Sequence, residues 1–381
     1  MRIKYPNLFF IGHSIYLKDS NVFDPNYAIT FGFLNHYFKD NYSVIRHSLY
    51  KSGETRFYNF GVEGGYKKIP LVGYLPDFMR YFFESLVNLA ILLLYRPNTV
   101  LGIDPLSCFI PVFLKKFNLI NKVYFITPDY AKRRFDNPIL NKAYYLLDKY
   151  CTLNSDKNIC CSTHVINTKS RNYNIKDINT VFFHMPNIPN PWTIEKYNNY
   201  PKVKNSLIYV GNISSQLNFK ELFYSVLELI DRYPDISLKI LGSGDLVNSL
   251  NDILREKSIE NIRFMGHLSH ADTLEQIARA EIGIAVYNGS FNYDEFRDSC
   301  KIREYQALGT IPISTPVAVS NRMDIEKFKS GILVNSMSEI KEALIRIFDD
   351  PEFKKTLSTN SIRNSLFYID RYDEYYKLIK M

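Results

Sequence analysis

Short apolar runs ending in glycine alternate with amphipathic stretches along the chain, and this rhythm predicts strands alternating with helices. Leu8–Ile11 is the first such run, stopped by Gly12, and Tyr27–Phe38 follows with helical spacing. Tyr42–His47, Thr99–Ile103 and Lys122–Ile126 read as further strands. The longest apolar stretch, Tyr81–Tyr95, is interrupted by Glu84 and Asn88 and is too short to cross a bilayer, so it predicts a buried helix over Asp77–Tyr95. Residues 184–201 are rich in proline and asparagine without periodicity and read as a linker. A second series then opens with strands at Ser206–Val210, Ser237–Leu241, Ile262–Met265, Ile282–Tyr287, Ile311–Ser314 and Gly331–Val334. Helices are expected between them at Phe219–Tyr233, Leu246–Lys257, Thr273–Ala280 and Cys300–Leu308, with Ser338–Phe348 last. Two such series in 381 residues imply an α/β protein of two doubly wound, Rossmann-like domains.

Composition narrows this picture only in part. A hydrophobic fraction of 46% with 23% charged residues is that of a globular chain rather than a disordered one. The five cysteines, Cys108, Cys151, Cys160, Cys161 and Cys300, form no CxxC pair, which fits a reducing cytoplasm and argues against a zinc site. No secretory signal is read in the opening residues. The charge of +8 is unevenly shared: residues 1–190 hold 23 Lys and Arg against 13 Asp and Glu, whereas 191–381 hold 24 against 26. The basic first half suggests an anionic partner such as a membrane surface or a lipid diphosphate, and a plain solvated surface is the alternative.

In an open parallel sheet, ligands bind at the carboxyl ends of strands. The segment Asp298–Ile313 lies at such an end. Ser299 is a candidate N-cap for the helix that follows. Lys301 sits in its first turn, where a cation opposes the helix dipole, and a residue that breaks a local rule at a ligand-facing end is a functional candidate. Glu304 stands three residues on and projects from the same face. An ordinary i,i+3 ion pair is the alternative reading.

Ser299, Lys301, Glu304, Tyr305, Ala307, Gly309, Pro312 and Thr315 together resemble the donor-site signature of GT-B glycosyltransferases. Leu207–Asn212, Leu238–Gly244 and Phe264–Leu268 resemble the strand–glycine elements of their nucleotide domain, so the likeness covers about residues 205–335. The resemblance implies a GT-B fold, two Rossmann-like domains facing a central cleft. It divides the chain into an acceptor domain at 1–190, a linker at 191–204 and a donor domain at 205–360. A C-terminal helix at 361–381 would cross back to the first domain. By the same likeness Lys301 binds the donor diphosphate and Glu304 the ribose. Gly211 and Asn212 lie under the phosphates, Gly242 and Gly244 form the second glycine turn, His267 and His270 flank the base pocket, and Ser299 and Tyr305 complete the donor site. Many retaining members carry a Glu-x7-Glu pair; eight positions before Glu304 this chain has Phe296, and Asp294, Glu295 and Asp298 are out of register. That departure moves the chain toward inverting relatives such as the xanthan glucuronosyltransferase, which take a base from the first domain.

The first-domain candidate for that base is Asp129, after the Lys122–Ile126 strand, with an N-cap as its alternative. Lys132, Arg133 and Arg134 beside it could hold a lipid diphosphate. His13, at the first strand end, is a candidate contact to donor sugar or acceptor. Asp104 is taken as cleft-lining, and Gly64-Gly65 as a flexible acceptor loop. No DxD metal motif, GxSxG elbow or P-loop is found, so metal-independent transfer without a cofactor is expected. The expected protein is a cytoplasmic hexosyltransferase or related enzyme at the inner face of the plasma membrane, touching anionic lipid peripherally. Its partners would be a nucleotide-sugar donor and a glycan, or lipid-linked glycan, acceptor for bacterial surface polysaccharide, and not nucleic acid. A sugar-nucleotide 2-epimerase and a non-catalytic nucleotide-sugar-binding protein are the alternatives.

Overall fold

The computed structural model describes residues 7–14, 25–39, 41–48, 54–59, 65–70, 76–217, 219–336 and 338–380. They form two compact units, Met1–Pro186 with Arg371–Met381, and Asn187–Asp370. In the first, eight strands make one sheet: β1 (Leu8–Ser14), β2 (Ser43–Ser48), β3 (Glu54–Tyr58), β4 (Tyr66–Pro70), β5 (Thr99–Ile103), β6 (Lys122–Thr127), β7 (Lys157–Cys160) and β8 (Phe182–His184). Their order is β4-β3-β2-β1-β5-β6-β7-β8. Most neighbours are parallel, but β2–β3 and β3–β4 are antiparallel, so an edge hairpin flanks what reads as a loop around Gly64-Gly65 and takes in Tyr66–Lys68. Gly64 itself is outside the described residues.

The second unit carries β9 (Val203–Val210), β10 (Ser237–Leu241), β11 (Ile262–Gly266), β12 (Ala280–Ala285), β13 (Ile311–Ser314) and β14 (Ile332–Leu333), all parallel, in the order β11-β10-β9-β12-β13-β14. Within the stretch read as a linker, Pro191–Ile194 is a short helix that starts after Asn190. The helix expected over Phe219–Tyr233 ends at Leu227 and continues as turns to Tyr233.

The central strands of both sheets are buried on both faces, as their unbroken apolar runs require. In each unit the chain first builds the sheet to one side and then returns to build the other. The reversal falls between β1 and β5 in the first unit and between β9 and β12 in the second. A crevice opens outside the strand ends at such a reversal. Both candidate sites lie there.

The helix Asp77–Tyr95 corrects one expectation. It forms, but it is not buried all round: Arg80, Glu84 and Asn88 point inward, while Phe82, Leu86 and Leu94 are exposed. Its inward polar residues find buried partners at the ends of β1 and β2. The C-terminal helix Arg371–Lys380 belongs to the first unit, where Tyr375 stacks on Phe33 at 4.5 Å and the Tyr124 hydroxyl donates to the Leu378 carbonyl.

Candidate functional sites in the two units

In the second unit, Ser299 caps the helix Cys300–Ala307, its hydroxyl accepting the Ile302 amide and bonding the Tyr287 hydroxyl at 2.7 Å. This cap aims the first turn, and so Lys301, back over the end of β9. A Cβ placed on Gly211 would lie 2.8 Å from the Lys301 ammonium. The same ammonium is 5.5 Å from the centre of the Tyr287 ring, just past β12. Lys301 is half-buried, and among the described residues no carboxylate forms an ion pair with it. It stands as a cation at the topological reversal without a protein anion to neutralise it.

The floor beneath it is built by glycine. At Gly242, φ is 134° and a Cβ would fall 2.0 Å from the Gly211 carbonyl oxygen, so only glycine lets the β9 and β10 loops meet. A Cβ on Gly244 would likewise strike the Ile213 carbonyl. Backbone bonds tie the loops together, with Gly211 donating to Leu241, Ile213 to Ser243 and Gly242 to Gly266. Asn212 is exposed at this turn, and its carbonyl accepts the Tyr209 hydroxyl at 2.8 Å. His267 is exposed and hydrogen-bonded to Ser243 at 2.8 Å, joining the β10 and β11 ends.

Glu304 is 5% exposed and accepts a 2.7 Å bond from His270 Nε2. That bond is the largest cause raising the His270 pKa. His270 was not singled out for Glu304 because 34 residues separate them in sequence. Tyr305 has a different place: it is fully buried, its ring packs on Gly283 and its hydroxyl donates to the Ile284 carbonyl. It fixes the helix to β12 from inside the core.

The carboxylates near the missing Glu are occupied. Phe296 is in the core, Asp294 holds Arg297 at 2.7 Å, and Asp298 holds the buried Arg303 at 2.6 Å, with Asp324 on its other side at 2.7 Å. Asp298 also accepts the Asn187 amide, which fastens the start of this unit to the helix Cys300–Ala307.

In the first unit the reversal holds a buried charge cluster. His13 ends β1 and donates from Nε2 to Glu84 at 2.9 Å and from Nδ1 to Asp104 at 2.8 Å. Burial alone would lower its pKa, but the two carboxylates outweigh it and raise the value to about 10. Burial would in turn raise the pKa of Asp104 and of Glu84, yet the His13 charge brings both below their usual values. His47, beside His13 on β2, is pushed the other way, to about 4, chiefly by burial. Its Nε2 donates to Asn88 at 3.0 Å and its Nδ1 accepts from Thr55 at 2.9 Å, the pattern of a neutral ring.

Asp104 adopts φ 68°, a left-handed conformation that costs an L-residue about 1–2 kcal/mol. The strained residue lines a cleft with Thr127, Asp129, Arg134 and Tyr144, so the structure brings Asp104 and Asp129 together. The Asp129 carboxylate is 47% exposed and both its oxygens accept from Arg134 Nη1, at 3.0 and 3.1 Å. Arg133 instead donates to the Phe135 and Asp136 carbonyls. Glu84, Asn88 and His47 are the residues sequence reading passed over. Their signal was the spacing Arg80, Glu84, Asn88, which sets three polar side chains on one face of an otherwise apolar helix.

Residues 204–350 match the family described as glycosyl transferases group 1. No curated protein is a sequence match for the chain. Among solved structures, the sucrose-phosphate synthase of Thermosynechococcus elongatus superposes with a TM-score of 0.64 at 14% identity, over 95% of this chain and 94% of that one. The lipopolysaccharide outer core galactosyltransferase WaaB gives 0.62 at 15%, over 98% and 99%. The pneumococcal O-GlcNAc transferase GtfA, solved with UDP and GlcNAc, gives 0.56 at 14% over 85% of this chain, which spans 62% of its length. At these identities the likeness is one of fold, and the fold is that of the GT-B glycosyltransferases.

Proposed function

We propose that this chain, whose residues 204–350 are a domain of the glycosyl transferases group 1 family, transfers a sugar from a nucleoside-diphosphate donor to a glycan acceptor. The observation that carries the reading is Lys301, an unneutralised cation above the Gly211–Gly242 floor at the sheet reversal. Close backbone approach and a positive charge are what a diphosphate needs. Glu304, aligned by His270, suits a pair of ribose hydroxyls.

The proposed reaction is an inverting displacement without a metal. An acceptor hydroxyl oxygen bonds to the anomeric carbon as the bond from that carbon to the diphosphate oxygen breaks. The hydroxyl proton passes to Asp129, and Lys301 stabilises the charge that grows on the departing diphosphate. Asp294 and Asp298 are buried against arginines, whereas the Asp129 carboxylate, though paired with Arg134, is open to the cleft, which supports a base from the first unit rather than a nucleophile near Phe296. His13, protonated and clamped, is assigned to positioning Asp104 beside that base. The acceptor we propose is a lipid-linked glycan of surface polysaccharide synthesis at the inner face of the membrane.

Assays of donor hydrolysis and of transfer test this. Lys301→Ala and Glu304→Ala are each expected to lose both activities, and full activity in both variants would overturn the donor assignment. Incubation with donor alone is expected to give no epimer; an epimer would replace transfer with 2-epimerisation as the function.

A further inference from the structure

The helix Asp77–Tyr95 buries Ile91 and Leu92 in the core but is polar on the inward side of the turns before them. Its inward face carries Arg80, Glu84 and Asn88, each at most 4% exposed. Its outward face carries Met79, Phe82, Phe83, Leu86, Leu93 and Leu94, between 36% and 74% exposed. Met79, Phe82, Phe83 and Leu86 recur at three- and four-residue steps, the exposed Ala90 follows, and Leu93 and Leu94 complete a stripe about 24 Å long. From Tyr81 to Tyr95 the one charged side chain is Glu84, which is turned inward onto His13. Single exposed leucines are ordinary on a protein surface, but a continuous uncharged stripe of this length marks a contact surface.

The stripe continues across the same face of the sheet. Helix Asp104–Lys115 packs beside helix Asp77–Tyr95, and helix Pro138–Asn154 packs beside that. Beyond the second helix Phe117 is 61% exposed next to the exposed Lys116. On the third, Ile139 and Leu146 are 78% and 60% exposed, and Lys142 and Lys149 follow each of them by three residues in the open. The described carboxylates of these helices face inward: Glu84 and Asp104 hold His13, and Asp148 holds the buried Lys169 at 2.8 Å. Apolar side chains interleaved with lysines, and no outward carboxylate among the described side chains of these three helices, match the acyl boundary and headgroups of an anionic bilayer. A second copy fits less well, since a two-fold contact through this face would bring the lysines of both copies together.

We infer that the outward face of these three helices is a docking surface for an anionic lipid bilayer, on which the protein lies rather than inserts. Among the described residues no helix is long and apolar enough to cross a membrane. The inference supplies a surface for the membrane-side acceptor proposed above, and rests on that reading only for where the acceptor is met.

Sedimentation of the full chain with vesicles tests it without donor or acceptor. Phosphatidylglycerol-containing vesicles are expected to carry the protein down, pure phosphatidylcholine vesicles far less, and added salt to release it. Phe82→Ser with Leu94→Ser is expected to abolish sedimentation with an unchanged melting temperature. Lys142→Glu with Lys149→Glu, which leaves the apolar stripe intact, is expected to weaken it by at least fivefold per lysine, about 25-fold in all. Equal sedimentation of wild type and both variants would overturn the proposal, as would no sedimentation with phosphatidylglycerol. A dimer in gel filtration that Phe82→Ser with Leu94→Ser dissociates would also overturn it, assigning the face to self-association. None of these results touches the donor site, which a nucleotide-induced rise in melting temperature reads separately.

Discussion

The two units reverse their sheets in the same manner and furnish the reversals in opposite ways. At the β1/β5 reversal the cations of His13 and Arg80 offset the carboxylates of Glu84 and Asp104, with an uncharged His47 alongside. At the β9/β12 reversal the loops are stripped to glycine and a lone ammonium, Lys301, stands over them. A compensated cluster resists any added charge, because its members already satisfy one another and burial penalises an excess. An uncompensated cation over bare backbone favours an anion. The same topological position therefore serves as a rigid support in one unit and as a receptive site in the other.

The contrast breaks first, and most severely, in the first unit. Glu84→Ala leaves the His13 imidazolium with one buried partner fewer, and the expected loss is about 3–5 kcal/mol in urea unfolding. A loss below about 1 kcal/mol would show that the cluster is not internally compensated. The same cluster sets a pH profile. His13 binds its proton up to about pH 10 when folded, so its contribution is complete below its ordinary value of 6.5 and fades as pH rises through 10. His47, held near 4, refuses a proton that the unfolded chain takes, and the lowered Asp104 and Glu84 act in the same sense, so acidification below 6.5 also destabilises. Melting temperature is expected to peak near neutrality, and His13→Gln to flatten the alkaline limb.

In the second unit Gly242→Ala forces a Cβ against the Gly211 carbonyl. We expect a stability loss of about 1–3 kcal/mol and disappearance of the melting shift given by nucleoside diphosphates. A retained shift would separate the glycine floor from ligand binding. His270→Gln should act more gently, removing a support of Glu304. Donor affinity is expected to fall about fivefold, roughly 1 kcal/mol, with a weaker dependence on pH near neutrality. An unchanged pH dependence would leave His270 a bystander.

How much of this was legible in sequence follows from the range of each signal. The strand ends at Gly211 and Gly242 and the Ser299 cap are each encoded within a few residues, and the structure has them in place. The edge hairpin β3–β4 was missed because its strands are short and polar on one side, with Lys67 and Lys68 in the run. His13 and Asp104 stand out at their strand ends, but their closure onto Glu84 joins positions 13 to 104, and the Arg80, Glu84, Asn88 spacing records only the helix's share of it. Tyr305 shows the converse: it fits the donor signature in sequence, yet the fold uses it to fill the space above Gly283.

The most direct test of the central claim is calorimetric titration of wild type and Lys301→Ala with a panel of nucleoside diphosphates and the parent nucleosides. Loss of charge-assisted bonds to the diphosphate is expected to weaken the tightest-binding diphosphate roughly 10- to 150-fold, about 1.5–3 kcal/mol, and to leave the nucleoside unchanged. Equal diphosphate affinity in wild type and Lys301→Ala would contradict the account.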